Sequence, residues 1–287
     1  MKIYAPVAVS AVLLLAACGS EKAEQSEQAE QEQAVSSEEV TEEKADETVE
    51  ENPEEVTEDE EPAEETAAEP VEPLYEINEA NWSVTPISDA PENVVLLTID
   101  DAPDQHAVEM AQKLHAADAP AIFFVNGHFL DTPEEEEMLK EIHELGFPIG
   151  NHTYSHPNLR DISEDEQREE IISLSDRVEE IIGERPKFFR APFGANTDFT
   201  EALAKEEGMV LMNWTYGYDW EADYQDAAAL ADIMVNTEYL SAGANLLMHD
   251  RAWTNDALTD IVEGLRAKDY TIVDPKTIKG YEVSSSE

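Results

Sequence analysis

Cysteine is nearly absent from this 287-residue chain, and bases are scarce: one Cys, and 17 Lys and Arg against 67 Asp and Glu, a formal charge of -50. A single thiol cannot form an internal disulfide, so any folded part must depend on its apolar core. The shortage of bases excludes polyanionic partners. DNA, RNA and anionic lipid headgroups are bound by Lys and Arg that neutralise phosphates, and no basic stripe runs through the sequence. Residues 20–73 also contain no aromatic residue, no Leu and no Ile. That stretch cannot bury enough apolar surface to offset its ordering entropy. With 23 acids and 2 bases over 19–73, it is expected to be a disordered, self-repelling tether. A charged helix over 20–45 is the alternative, but no apolar stripe would anchor it.

The charge is not confined to the tether. Residues 74–287 hold 44 acids and 14 bases, so the part with core-forming composition is acidic in its own right. At the other end, Met1-Lys2 precedes an apolar run over 5–17, interrupted by Pro6 and Ser10, and then Leu15-Ala16-Ala17-Cys18-Gly19. The run is short for a membrane span and has the proportions of a signal peptide. Its ending resembles a bacterial lipobox, which implies cleavage before Cys18 and a diacylglycerol on its thiol. The organisation read from these shifts is a signal peptide over 1–18, the tether over 19–73, a lead-in over 74–93 and a catalytic domain over 94–287. The expected location is extracytoplasmic, with the membrane reached only through lipidated Cys18.

Alternating strand and helix signals begin after the tether. Val94-Val95-Leu96-Leu97-Thr98 is a short, β-branched apolar run that predicts a buried strand. Helical spacing at Val108, Ala111, Leu114 and His115 follows, then a strand over 121–125. Thr132-Pro133-Glu134-Glu135 combines an N-cap, a first-turn proline and a capping-box acid, opening a helix that ends at Gly146. A strand over 147–150 precedes a second capping box, Ser163 to Glu166, ahead of Ile171, Leu174, Val178 and Ile181. Further strands are predicted over 188–189, 209–214, 245–248 and 270–273, and helices over 199–208, 227–240 and 256–268. Seven strands with helical crossovers predict an α/β fold, a deformed (β/α) barrel of about seven parallel strands.

In such a barrel, reactive groups gather at the C-terminal strand ends. Polar residues follow the strands at Asp100-Asp101, Asn126, Asn151-His152, Arg190, Asp219 and His249-Asp250. Asp100-Asp101 alone reads first as a cap for the helix near His106. His152-Thr153-Tyr154-Ser155-His156 says more. Imidazoles four apart on one helical turn can reach one metal, and an added carboxylate completes a two-histidine, one-carboxylate set with room for water. An isolated HxxxH is still more often a surface or capping pair. Pro157 disfavours a long helix here, leaving a loop or single turn to hold the pair. His106, His115 and His143 fall on helices and read as surface residues, and His128 follows a strand near the rim.

The order of these residues resembles that of the NodB-homology polysaccharide deacetylases, carbohydrate esterase family four, over 94–274. Thr98-Ile99-Asp100-Asp101, the His152 to His156 motif, Arg190-Ala191-Pro192-Phe193-Gly194, Asp219-Trp220 preceded by Trp214, and Leu247-Met248-His249-Asp250 match five family motifs in order. The resemblance implies that Asp101, His152 and His156 hold a divalent metal, commonly zinc, with cobalt, manganese or nickel as alternatives. It implies Asp100 as general base, His249 as general acid, Arg190 orienting the base and Asp219 paired with His249. The Phe193 backbone N–H would meet the oxyanion, and Trp220 would wall the acetyl methyl or sugar face. Two departures stand out: Ala102 replaces a usual glycine, and the segment Thr215-Tyr216-Gly217-Tyr218 is one residue short and lacks a usual Asp. The implied activity is N-deacetylation of an amino sugar polymer, peptidoglycan or chitin-like, by a monomer. An O-acetyl xylan or wall-polymer esterase is the alternative enzyme, and a non-catalytic glycan-binding wall lipoprotein is the alternative of another class.

Overall fold

The computed structural model describes residues 72–282. The expected signal peptide, Cys18 and residues 19–71 of the expected tether lie outside the described residues. Two short strands come first, β1 (Tyr75–Ile77) and β2 (Val84–Pro86), paired antiparallel. Then β3 (Val94–Ala102), α1 (Ala107–Ala116), β4 (Ile122–Val125), α2 (Pro133–Glu144), β5 (Ile149–Asn151) and α3 (Glu164–Ile182) alternate. They continue through β6 (Phe188–Phe189), α4 (Asp198–Glu206), β7 (Val210–Leu211), α5 (Ala227–Asn236), β8 (Ala244–His249), α6 (Ala252–Ala267) and β9 (Thr271–Ile272).

Strands β3 to β9 form one seven-stranded parallel sheet in the order β7-β6-β5-β4-β3-β8, with β9 also on β3. Curled, it brings its two ends together through a loop rather than a strand. Tyr216, beyond β7, forms an isolated parallel bridge with Leu246 of β8, so the barrel is half a barrel joined by a seam. This is the parallel α/β architecture expected from the sequence.

Strand pleating divides the side chains between two cores. Val95, Leu97, Ile99 and Phe123 face outward onto Met110, Leu139, Leu258 and Ile261 of the helices. Val94, Leu96, Ile122, Phe124, Phe188 and Met212 make a separate inner cluster. Continuing the inward series two residues at a time leads from Leu96 to Thr98 and Asp100, from Gly150 to His152, and from Phe188 to Arg190. The interior is therefore apolar at its base and polar at the strand ends. Gly150 belongs to this arrangement, because a Cβ there would lie 2.4 Å from the Phe124 ring.

Both capping boxes form, with Thr132 and Glu135 closing α2 and Ser163 and Glu166 closing α3. Some boundaries differ from expectation. The strand expected over 209–214 keeps only Val210–Leu211, after which the chain leaves the sheet to build the seam. α6 begins four residues earlier than expected, directly after an extended Arg251, and α5 stops at Asn236 because Thr237 is extended.

The lead-in is part of the folded core. Tyr75 and Val84 are buried in the inner cluster beside Val273 and Ile278. The Val84 N–H donates to the Gly243 carbonyl at 2.8 Å, and the Lys279 N–H donates to Tyr75 at 2.7 Å. The β1–β2 pair thus plugs the inner cluster together with the C-terminal segment. Tyr75→Ala is expected to cost about 3 kcal/mol, the lower end for truncating a buried ring. Urea denaturation would measure it, and an unchanged midpoint would contradict the plug.

Candidate active site

Two adjacent carboxylates can share a site only if the strand is broken, since neighbouring side chains on a regular strand face opposite ways. β3 supplies the break. Its register against β4 shifts between Ile99 and Ala102, three steps against two, and Asp101 adopts φ 59°. This bulge turns Asp101 onto the same rim as Asp100. The left-handed residue is Asp101, and Ala102 is not among the residues with positive φ, so the loss of glycine at 102 introduces no backbone conflict. Neither Asp caps α1. That task falls to Asp250, whose carboxylate accepts from the backbone N–H groups of Asp104, His106 and Ala107 at 2.7–2.9 Å.

His152 and His156 are held by a loop, not by a helical turn. Thr153 (φ 68°) and His156 (φ 59°) are both left-handed, which bends the chain so that the two rings approach to 5.0 Å between centroids. Buried amides pin this loop. Asn126 Nδ2 donates to the carbonyls of His152 and Thr153, Asn151 Oδ1 accepts from the Thr153 N–H, and Glu170 accepts from Ser155. Asn126 and Asn151 therefore shape the rim rather than react at it.

Asp101 Oδ1 lies 3.4 Å from His156 Nε2 and 3.9 Å from His152 Nε2, and the three candidate ligand atoms fall within 4.8 Å of one another. Atoms bound about 2.1 Å from one tetrahedral zinc stand about 3.4 Å apart, so this donor set fits a divalent cation after slight closure. The His152 ring is oriented for the task. Its Nδ1 donates to the Arg190 carbonyl at 2.7 Å, which leaves the Nε2 lone pair facing Asp101. Burial works against ionised Asp101, but the surrounding His152, His249, His156 and Arg251 outweigh it and lower its pKa. His156 is also lowered, first by burial and then by His152, which favours the neutral imidazole that a metal needs.

Asp100 has a separate environment. Arg190, fully buried, donates from Nη1 to Asp100 Oδ1 at 2.5 Å and to Thr98 Oγ1 at 2.9 Å, and from Nη2 to the Asn213 carbonyl. Its guanidinium also lies 4.2 Å over the Phe124 ring. With Oδ1 taken, Asp100 Oδ2 stands 3.5 Å from His152 Nε2, beside the triad.

His249 is the register partner of Asp100 across β3 and β8, so the two emerge side by side. Buried Asp219 meets it twice, through Nδ1 at 2.7 Å and the backbone N–H at 2.6 Å, and also accepts from Thr254 at 2.8 Å. Burial opposes the charged imidazole, but the Asp219 hydrogen bond and charge, helped by Asp100 and Asp101, more than offset it and raise the His249 pKa. The shortened segment before Asp219 leaves this contact intact. Within it, Gly217 is required by close approach, since a Cβ would lie 2.4 Å from the Leu247 carbonyl and 2.7 Å from the Trp220 ring.

Asp100, Asp101, His152, His156, Asp219 and His249 line one cavity of about 510 Å³, with Phe193, Trp214, Trp220 and Leu247 as its apolar wall and Arg190 buried behind Asp100. Phe193 is 67% exposed, left-handed at φ 59°, and its ring contacts His156; Trp220 is 47% exposed and stands edge-on to His249. All nine expected site residues within the described part of the chain thus meet in one place. Sequence reasoning passed over Arg251, whose Nη2 donates to Asp101 Oδ2 at 2.7 Å. His128 is tied to the Tyr154 carbonyl at 2.9 Å beside the His152–His156 loop and does not line the cavity.

A sequence profile described as polysaccharide deacetylase matches residues 87–242. The chain belongs to the polysaccharide deacetylase family. A peptidoglycan-N-acetylglucosamine deacetylase of Bacillus cereus is 31% identical over 183 residues, 61% of this chain and 64% of that protein. The solved peptidoglycan deacetylase PdaC from Bacillus subtilis matches with TM-score 0.57 and 28% identity, over 63% of this chain and 87% of that one. A CE4 family pseudoenzyme from Bacillus anthracis matches with TM-score 0.58 and 26% identity, over 63% of each chain. The match therefore spans under two thirds of the Bacillus cereus protein.

For this deacetylase-family site, the Asp219–His249 pair has a measurable consequence. The raised His249 pKa keeps the imidazolium populated to higher pH, and the pair's stabilisation is complete below the unfolded pKa and lost as pH rises through the folded value. Asp219→Asn removes the charge, so the alkaline limb of kcat/KM is expected to move down by about one to two pH units. A limb that stays in place would exclude His249 as the titrating acid.

Proposed function

We propose that this protein is a metal-dependent hydrolase that removes N-acetyl groups from an amino sugar polymer, with cell-wall peptidoglycan as its substrate. The observation that carries this reading is the pairing of two differently prepared groups beside one candidate metal triad. Asp100 is held by a cation, and His249 is held by an anion. A cavity that only bound glycans would need neither.

Asp101, His152 and His156 would hold the divalent cation, with zinc the first choice. When bound there, it supplies Lewis-acid polarisation of the acyl oxygen and acidifies water. The remaining work falls to the chain. Asp100 uses Oδ2 to accept a proton from the attacking water while Arg190 keeps Oδ1 fixed. His249, protonated and anchored through Nδ1, delivers the Nε2 proton to the leaving nitrogen, so acetate and a free amine are released. The Phe193 N–H would donate to the developing oxyanion, and Trp220 would pack on the acetyl methyl or sugar face.

Location supports peptidoglycan over a soluble glycan. A lipidated Cys18 would fix the protein to the membrane, and about 55 tether residues, at up to ~3.3 Å each, would reach well beyond 50 Å into the wall. Cys18→Ala is expected to release the protein from the membrane fraction without loss of catalytic activity, as fractionation and an acetate assay would show. Persistence in the membrane fraction would rule out the anchor.

The chemistry itself is tested by acetate release from peptidoglycan, N-acetylglucosamine oligomers and acetylxylan. Release from the first two should be abolished by a chelator, reduced at least about 100-fold in Asp100→Asn, the scale of a lost general base, and lost in His152→Ala, which removes a metal ligand. Preference for acetylxylan would favour the O-acetyl esterase. Tight glycan binding with no acetate release across several metals would favour a binding protein.

A further inference from the structure

Asp101 divides its two oxygens between different neighbours. Oδ1 faces His156 and His152 at 3.4 and 3.9 Å, whereas Oδ2 accepts from Arg251 Nη2 at 2.7 Å. Arg251 is itself fixed. It stands extended at the start of α6, its Nη1 donates to the Asp250 carbonyl at 2.8 Å, and its side chain is only 36% exposed on the cavity wall. The Asp250 carboxylate in turn holds three backbone N–H groups of the segment just after Asp101. The turn from β8 into α6 therefore grips the Asp101 side chain and the backbone of the loop that follows the β3 bulge. Such a grip is needed, because a non-glycine residue at φ 59° persists only where its surroundings over-determine it.

We propose that Arg251 is a positioning residue for the metal ligand Asp101: by holding Oδ2, it presents Oδ1 alone to the centre. Asp101 then contributes one ligand atom, and a coordination position that a chelating carboxylate would take stays open for water and substrate. This inference rests on reading Asp101, His152 and His156 as a metal site. It also runs against simple electrostatics. A guanidinium beside a dication repels it, so if charge alone mattered, removing Arg251 would tighten metal binding.

That opposition in sign makes the proposal testable on the full chain stripped of metal. Zn²⁺ affinity would be measured by competition with a chromophoric chelator, and the Co²⁺ visible spectrum recorded, for wild type, Arg251→Met and Arg251→Gln. Arg251→Met is expected to weaken Zn²⁺ binding about 10- to 100-fold, the range for outer partners of metal ligands, and to dim the Co²⁺ bands as Asp101 becomes bidentate. Arg251→Gln, which keeps a hydrogen-bond donor, is expected to weaken binding less. Equal or tighter affinity in Arg251→Met overturns the positioning role. Failure of wild type to bind either ion would instead overturn the metal reading on which it rests.

Discussion

A guanidinium with no exposed surface is the constraint around which the rim is built. Arg190 lies at the top of the apolar inner cluster, over the Phe124 ring and near Trp214, with donors committed to Asp100, Thr98 and the Asn213 carbonyl. Desolvating such a pair costs several kcal/mol per ion, so it adds little to stability by itself. Its role is positional. Asp100 supplies the counter-charge and is fixed by it, and the Arg190 carbonyl orients His152, so one buried residue orders both a candidate base and a candidate ligand.

The same logic recurs at the two aspartates of the β3 bulge, where one oxygen is committed to a structural partner and the other faces the candidate metal triad. Asp100 gives Oδ1 to Arg190, and Asp101 gives Oδ2 to Arg251. Asp219 differs from both. Both its oxygens are committed, to His249 and Thr254, which suits a group that tunes a neighbour and does not react. Left-handed residues at Asp101, Thr153, His156 and Phe193 surround this arrangement. Each is strained for an L residue, and buried amides, Asp250 and Glu170 hold three of them by direct bonds to their loops. A rim built this way is rigid before any ligand arrives.

Acidity, the most visible property of the sequence, has little part in the site. The described bases are largely engaged, as Arg185 is by Asp176, Glu179 and Glu207, and the excess carboxylates lie on exposed helix faces such as the first turn of α2. Such a surface keeps a protein hydrated and repels polyanions. It leaves a cavity whose balance of charge is set locally, by Arg190 and Arg251 against Asp100, Asp101 and Asp219.

What the sequence by itself determined was local or periodic. Short apolar runs marked all seven parallel strands, both capping boxes marked helix starts, and residues at strand ends marked the rim, because pleat and helix periods act over a few neighbours. The five motifs pointed to the candidate site residues. Only the tertiary structure decided how those residues are held: that Asp250 caps α1 from the end of the neighbouring strand, that Arg251 takes one oxygen of Asp101, that Gly150 makes room for Phe124, and that residues 74–93 plug the inner cluster. These are partnerships between groups distant in the chain. A hydrogen bond or a close packing contact depends on which atoms the curled sheet brings within about 3–4 Å, and no short-range pattern encodes that.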